Sequence, residues 1–158
     1  MADELLTALP DPADATLTAS RALLGVVARS VASALEVVTL PQFRVLVLLS
    51  VDGPTRVGSI AERVGAVPST FTRSVDRMVA GGWITRTENP ANRREVLIEL
   101  TDDGRRLVEA VTQRRRREIR EVLRLLSDED RAAVARAFTL FNAAAGEPTV
   151  EDLLTLGL

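Results

Sequence analysis

Leu24, Val27, Val31, Leu35 and Val38 recur at spacings of three or four residues. That period predicts one amphipathic helix, capped by Asp14 or Thr16, with a single apolar stripe to about residue 38. Thr39-Leu-Pro-Gln42 then has the form of a capping box, in which the Thr39 hydroxyl and the Gln42 side chain satisfy each other's backbone amides. Pro41 suits the first turn that follows, where its missing N–H is not needed. The helix opened there ends at Asp52-Gly53-Pro54. A short helix fits residues 57–64, with Ile60 and Val64 inward. Gly65-Ala66-Val67 makes a turn, and Pro68 starts a fourth helix with Phe71, Val75, Met78 and Val79 buried and Gly81-Gly82 at its end. Two short helices joined by a tight turn form a helix-turn-helix candidate.

After Gly82 the period changes from helical to alternating. WITRTE (83–88) and EVLIEL (95–100) read as two strands around a loop at 89–94, with Val96, Ile98 and Leu100 inward and Glu95 and Glu99 outward. Trp83, the single tryptophan, is expected to anchor this hairpin to the core. Thr101 caps a long helix, with Asp102 and Asp103 in its first turn, where negative charge suits the helix dipole. Its stripe runs through Leu107, Val108, Val111, Ile119, Val122 and Leu126. Ser127-Asp-Glu-Asp130 caps a last helix carrying Val134, Ala137, Phe138 and Phe141, which ends at Gly146. The tail VEDLLTLGL either packs or hangs loose.

Composition narrows the chemistry. The 158 residues contain no cysteine and no histidine, which removes disulfides, thiolate metal sites and the commonest general base. All 20 basic residues are arginine. No phosphate-cradling glycine loop appears, and the carboxylate clusters sit at helix starts where capping explains them. An enzyme is therefore not expected, nor is a cofactor or a metal. No apolar run is long enough to span a bilayer, and the acidic start MADELLTALPDPADAT does not read as a secretory leader. A cytoplasmic location is the expectation.

The net charge of −2 hides an asymmetry. Residues 1–15 carry four acids and no base, and residues 127–158 carry six acids and two arginines. Residues 16–126 hold 18 arginines against 12 acids, a net of +6. A polyanion responds to that local field. With one face of the helix at 68–80 buried, the other presents Ser69, Thr70, Arg73, Ser74 and Arg77, with Thr72 at the margin. Hydroxyls near a helix start reach phosphates and base edges, and an arginine can grip a guanine edge with two parallel hydrogen bonds. The hairpin beside that helix lifts Arg93 and Arg94 toward a neighbouring minor groove. Ser69 is also expected to serve the helix start, and Asp76 to pair with Arg73 or with an arginine of the hairpin.

Residues 39–104 resemble the multiple antibiotic resistance regulator (MarR) family of bacterial transcription factors. The resemblance rests on Thr39-Leu-Pro-Gln42, on Ser69-Thr-Phe-Thr72-Arg73-Ser-Val-Asp76-Arg77-Met78, on Gly81-Gly82-Trp83-Ile84-Thr85-Arg86, on Asn92-Arg93-Arg94 and on Leu100-Thr101-x-x-Gly104. It implies a mainly α fold with a small β-hairpin wing. In that fold a winged helix-turn-helix over 39–100 lies between dimerisation helices at 1–38 and 101–158. It also implies a homodimer on a pseudo-palindromic operator in double-stranded DNA, DNA contacts from Ser69, Thr70, Thr72, Arg73, Arg77, Arg86, Arg93 and Arg94, and repression relieved by a small aromatic or anionic effector. The family usually has Asp where this chain has Asn92, which brings no charge to brace a wing arginine.

Two plainer readings compete with parts of this picture. Arg93 and Arg94 alone would read as solvated loop charges; the adjacent helix-turn-helix turns the balance toward DNA. Arg114–Arg117 point in four directions about 100° apart, so they form no single patch. The expected arrangement is ion pairing along the helix, Arg114 with Glu118, Arg117 with Glu121 and Glu121 with Arg124. Arg115 falls on the apolar stripe and must snorkel or pair across an interface. An alternative for the whole chain is a winged-helix dimer that binds a small molecule or a protein partner without binding DNA.

Overall fold

Among the described residues six helices and the two strands of the hairpin follow one another in the order the periodicities predict, and a short further strand completes a three-stranded antiparallel sheet. The structure is a computed structural model that describes residues 10–90 and 92–146; residues 1–9, 91 and 147–158 and the side chains of Arg93 and Arg94 lie outside the described part, as does the tail VEDLLTLGL. The elements are α1 (Pro12–Val31), a single 3-10 turn (Ala34–Glu36), α2 (Leu40–Asp52), β1 (Thr55–Arg56), α3 (Val57–Val64), α4 (Pro68–Ala80), β2 (Ile84–Asn89), β3 (Asn92–Leu100), α5 (Asp102–Leu123) and α6 (Asp128–Ala145).

The capping chemistry mostly falls where the sequence puts it. Thr39 and Gln42 form the reciprocal box at the start of α2, and Thr101 and Ser127 accept from the third amides of α5 and α6. The start of α1 differs. Asp11 is the cap, accepting from the amides of Ala13 at 2.8 Å and Asp14 at 3.4 Å, because Pro12 fills the first helical position and sets the start there. The expected continuous helix to residue 38 also breaks at Val31. Thr39 must be extended to cap α2, at φ −75° and ψ 158°, so the preceding residues tighten into a 3-10 turn instead. Val31, Ala34 and Val38 still reach the core, while Leu24 and Leu35 stand exposed.

A single core joins the buried sides of α2, α3, α4 and the sheet to α5 through Val45, Leu46, Leu49, Ile60, Phe71, Val75, Met78, Ile84, Ile98, Val108 and Val111. The strand order is β1-β3-β2. β1 pairs Thr55 with Ile98 and Arg56 with Leu97, and two residues are too few for any period to announce that strand. β2 and β3 pair Ile84 with Leu100 and Glu88 with Val96. Ile98 and Leu100 face inward as expected. Val96 does not: it is 47% exposed, because the hairpin outgrows the helices that cover its base. The predicted loop at 89–94 is also shorter, since β3 already begins at Asn92.

Thr101, Gly104 and Trp83 lock the wing to α5. The Thr101 hydroxyl donates to the Gly82 carbonyl at 2.6 Å and accepts from the Gly104 amide at 3.1 Å, while the Thr101 amide donates to the Trp83 carbonyl at 3.2 Å. A β-carbon on residue 104 would lie 2.1 Å from that Trp83 carbonyl oxygen, so only glycine fits there. The Trp83 side chain packs on the core, as the sequence reading expects. Within the run at 114–117, Arg114 and Arg115 bond residues at the end of α1 and just after it instead of pairing along α5. Glu118 takes Arg29 of α1 at 2.7 Å, Arg114 donates to Ser33 at 3.1 Å, and Arg115 donates to the buried Ser30 at 3.2 Å. Only the Arg124–Glu121 pair forms as predicted, at 2.7 Å; among the described residues no ion pair joins Arg114 to Glu118 or Arg117 to Glu121. Packing of α1 against α5 brings the long side chains within reach of better-placed partners.

Two glycine substitutions separate a packing constraint from mere chain flexibility. Gly104→Ala is expected to destabilise the fold by about 1–3 kcal/mol, because the obstacle is backbone and cannot step aside. Gly58→Ala, where a β-carbon meets nothing within 4 Å, should be neutral or stabilising by up to about 1 kcal/mol. Urea denaturation of the two variants against wild type measures both.

Candidate nucleic-acid interface

The geometry of α4 is set at both of its ends by glycine turns. At the end of α3, Gly65 has φ +66°; its amide donates to the Glu62 carbonyl at 3.1 Å and the Ala66 amide to the Ala61 carbonyl at 2.9 Å. This is a Schellman ending, and it turns the chain sharply into the next helix. Pro68 then opens α4. At the far end the Gly82 amide donates to Val79 at 3.0 Å and the Trp83 amide to Met78 at 3.0 Å, a second ending of the same kind that launches β2. Between them Phe71, Val75 and Met78 are buried at i, i+4 and i+7. That spacing fixes the rotation of α4 about its axis, and with it the face that solvent sees.

Ser69, Thr70, Thr72, Arg73 and Arg77 are all exposed, and Ser74 is half-buried. The structure thus brings the helix candidates together on one accessible surface. Two details differ from the sequence reading. Ser69 does not cap the helix: the N-cap is Val67, which makes no side-chain cap bond, because Pro68 occupies the first helical position and leaves Ser69 inside the first turn. The Thr72 hydroxyl donates to the Pro68 carbonyl at 3.0 Å, so it faces a ligand as an acceptor only.

Asp76 lies on the same helix and pairs with Arg86 of β2, whose Nη2 donates to Asp76 Oδ1 at 2.6 Å. Of the two partners the sequence allowed it, Asp76 thus takes a hairpin arginine. Both side chains are about half exposed, so the pair contributes little to stability, at most about 1 kcal/mol. Its consequence is geometric: it ties β2 of the wing to α4 and holds the Arg86 guanidinium against Asp76, on the helix that also carries Arg73 and Arg77.

The pairing of β2 and β3 slips between Glu88 and Asn89, where Glu88 faces Val96 and Asn89 faces Asn92. Arg93, Arg94 and Glu95 therefore have no counterparts on β2 and occupy a bulge at the far end of the wing, although the backbone of all three belongs to β3. Sequence reading places the two arginines in a loop; the structure places their backbone in a bulged strand, and their side chains lie outside the described part. Glu95, within that bulge, is held by Arg56 of β1 at 3.4 Å and by the Asn89 amide group at 2.9 Å. Arg56 was not among the residues the sequence singled out. It sits on the two-residue strand β1, whose pairing only the folded sheet reveals. No cluster of acidic side chains that could hold a metal ion occurs among the described residues, and no described helix is long and apolar enough to cross a membrane.

Comparison with known proteins agrees with this architecture. The model of the MarR family matches residues 38–96. The crystal structure of RV1404 from Mycobacterium tuberculosis superposes with a TM-score of 0.77 at 43% identity, over 85% of this chain and 92% of that one. An uncharacterized HTH-type transcriptional regulator of Bacillus subtilis (strain 168), YfiV, is 30% identical over 106 residues, 67% of this chain and 66% of its own length. The HTH-type transcriptional repressor MdtR of the same organism is 36% identical over 93 residues, 59% of this chain and 60% of its own. The chain thus spans slightly less than two thirds of the length of either Bacillus relative. The motifs, the winged helix-turn-helix and these similarities converge on one assignment: the chain belongs to the MarR family of helix-turn-helix transcriptional regulators.

Proposed function

We propose that the protein is a homodimeric transcriptional repressor that binds a pseudo-palindromic operator and releases it on binding a small aromatic or anionic effector. The observation that carries the DNA-binding part is the exposed face of α4, with Ser69, Thr70, Arg73 and Arg77 beside an Arg86 that Asp76 holds in place. Arg73 and Arg77 supply forks that match guanine edges or phosphates, and Ser69 and Thr70 supply hydroxyls at the helix start. Arg93 and Arg94, in the bulge of the wing, reach toward the adjacent minor groove in this reading. Repression is supported by the similarity to MdtR, itself described as a repressor.

The dimer is supported by the distribution of apolar surface. None of the described side chains of α6 is buried, yet the helix carries Phe138, Leu140 and Phe141. Leu17 and Leu24 of α1 and Leu125 after α5 are exposed as well. Apolar side chains so concentrated on the terminal helices fit a twofold partner, whereas scattered single ones would need no explanation. A twofold dimer sets its two recognition helices about 34–36 Å apart, one turn of DNA. An effector that prefers a different separation of the heads lowers operator affinity by its difference in affinity for the two arrangements.

Duplexes selected from random sequence by the purified protein are the direct test. A dimer making ~6–10 phosphate contacts is expected to lose about 10³–10⁵ in affinity between 50 and 200 mM salt; absence of duplex binding at low salt would leave the winged fold serving a small molecule or protein partner instead. Arg73→Ala and Arg93→Ala should each weaken binding to a selected duplex by roughly 1–3 kcal/mol per half-site without changing the melting temperature. Only Arg73→Ala should narrow the gap between selected and random DNA. Phe141→Glu should shift the protein from dimer to monomer in analytical ultracentrifugation, and an unchanged sedimentation coefficient would remove α6 from the interface.

A further inference from the structure

Most of the exposed large apolar side chains lie on α1, on α2 and the 3-10 turn before it, at the end of α5 or on α6. Two others stand in the winged part, and one of them, Val67, is 65% exposed at the N-cap of the recognition helix. Valine is among the poorest residues for that position, since it has no oxygen to accept from the first-turn amides. In this chain α1, α2, α5 and α6 open on side chains that do accept, Asp11, Thr39, Thr101 and Ser127, while α3 opens on Arg56, which makes no cap bond but is charged and paired with Glu95. Val67 neither caps its helix nor enters the core; the extended backbone before Pro68 suits a β-branched residue, but neither capping nor burial explains an apolar side chain exposed at this point.

Its place on the DNA-facing edge does. The N-terminal residues of a recognition helix are the ones that meet base edges in the major groove. Val67 immediately precedes Pro68, Ser69 and Thr70, all three exposed. The one apolar group that bases present in that groove is the C5-methyl of thymine, and apolar side chains read it by contact. A β-branched side chain suits the task, because its single torsion is already restricted and little freedom is lost on docking. We propose that Val67 is a specificity-determining residue that packs on a thymine methyl in each operator half-site, beside the polar contacts of Ser69, Thr70 and Arg73. The inference rests on the DNA-binding reading above and adds to it a base preference that the polar residues do not supply.

Deoxyuridine differs from thymidine only by the missing methyl, which makes the test specific. Duplexes selected by the wild-type protein are resynthesised with deoxyuridine in place of each thymidine in turn, and affinities are measured for wild type and Val67→Ser. The serine variant restores a capping oxygen, so its melting temperature should be equal or higher, which separates recognition from folding. At one thymine per half-site the wild type should lose roughly fourfold in affinity on removal of the methyl, the weight of one buried apolar carbon. Val67→Ser should bind the thymidine and deoxyuridine duplexes equally, at about the wild type's deoxyuridine level. Methyl sensitivity that persists in Val67→Ser, or a wild type indifferent to every substitution, would overturn the assignment while leaving DNA binding intact. Failure of the wild type to select any duplex would overturn the DNA-binding reading itself, and this inference with it.

Discussion

The carbonyl of Trp83 occupies space that any side chain on residue 104 would need. That close approach is the constraint on which the rest of the molecule turns. It brings the end of α4, the start of β2 and the first turn of α5 to one point, where Thr101 closes the junction by bonding both Gly82 and Gly104. The recognition helix and the wing thereby leave a common anchor in set directions. α5, whose 22 residues span about 33 Å, carries the position of that anchor toward the other end of the chain. A family motif that looks like a string of unrelated letters, Leu-Thr-x-x-Gly, is thus one packing device. Leu100 enters the core, Thr101 caps and clamps, and Gly104 makes room.

At the far end polar side-chain contacts, most of them exposed, join the helices. Arg29 with Glu118, Arg114 with Ser33 and Arg115 with the buried Ser30 lace α1 to α5. Exposed pairs of this kind contribute little stability, on the order of 0–1 kcal/mol each. They leave the winged part to be held by its own apolar core and the terminal helices to depend on whatever covers their apolar surface. This division suits the proposed switch: a rigid reading head joined to a half whose packing is completed by a partner and can be re-biased by a small ligand.

The wing shows how small tertiary differences redirect sequence chemistry. Asn92 stands where the family usually has Asp. The ion pairs described in the wing are made elsewhere, by Asp76 with Arg86 on β2 and by Glu95, in the bulge, with Arg56 of β1. Both carboxylates take partners from another element, α4 reaching β2 and β3 reaching β1. The wing is therefore referenced to the recognition helix and to the sheet edge, and the bulge holding Arg93 and Arg94 projects from that double brace.

Sequence alone determined the helix order, the capping box of α2 and the caps of α5 and α6, the helix-turn-helix and the exposed polar face of α4, because each rests on neighbours within one or two turns. Period 3.6 and a few end-cap residues are local signals, and Phe71, Val75 and Met78 dictate which side of α4 faces out. Tertiary structure decided what depends on residues far apart. It placed Val96 beyond the cover of the helices, recruited Thr55–Arg56 as a third strand, gave Glu118 to Arg29 and Asp76 to Arg86, and ended α1 at Val31 so that Thr39 could cap. The physical reason is the same in each case. A side chain's own spacing shows which groups it offers, but its partner is chosen by whatever the folded chain brings within about 3 Å of it.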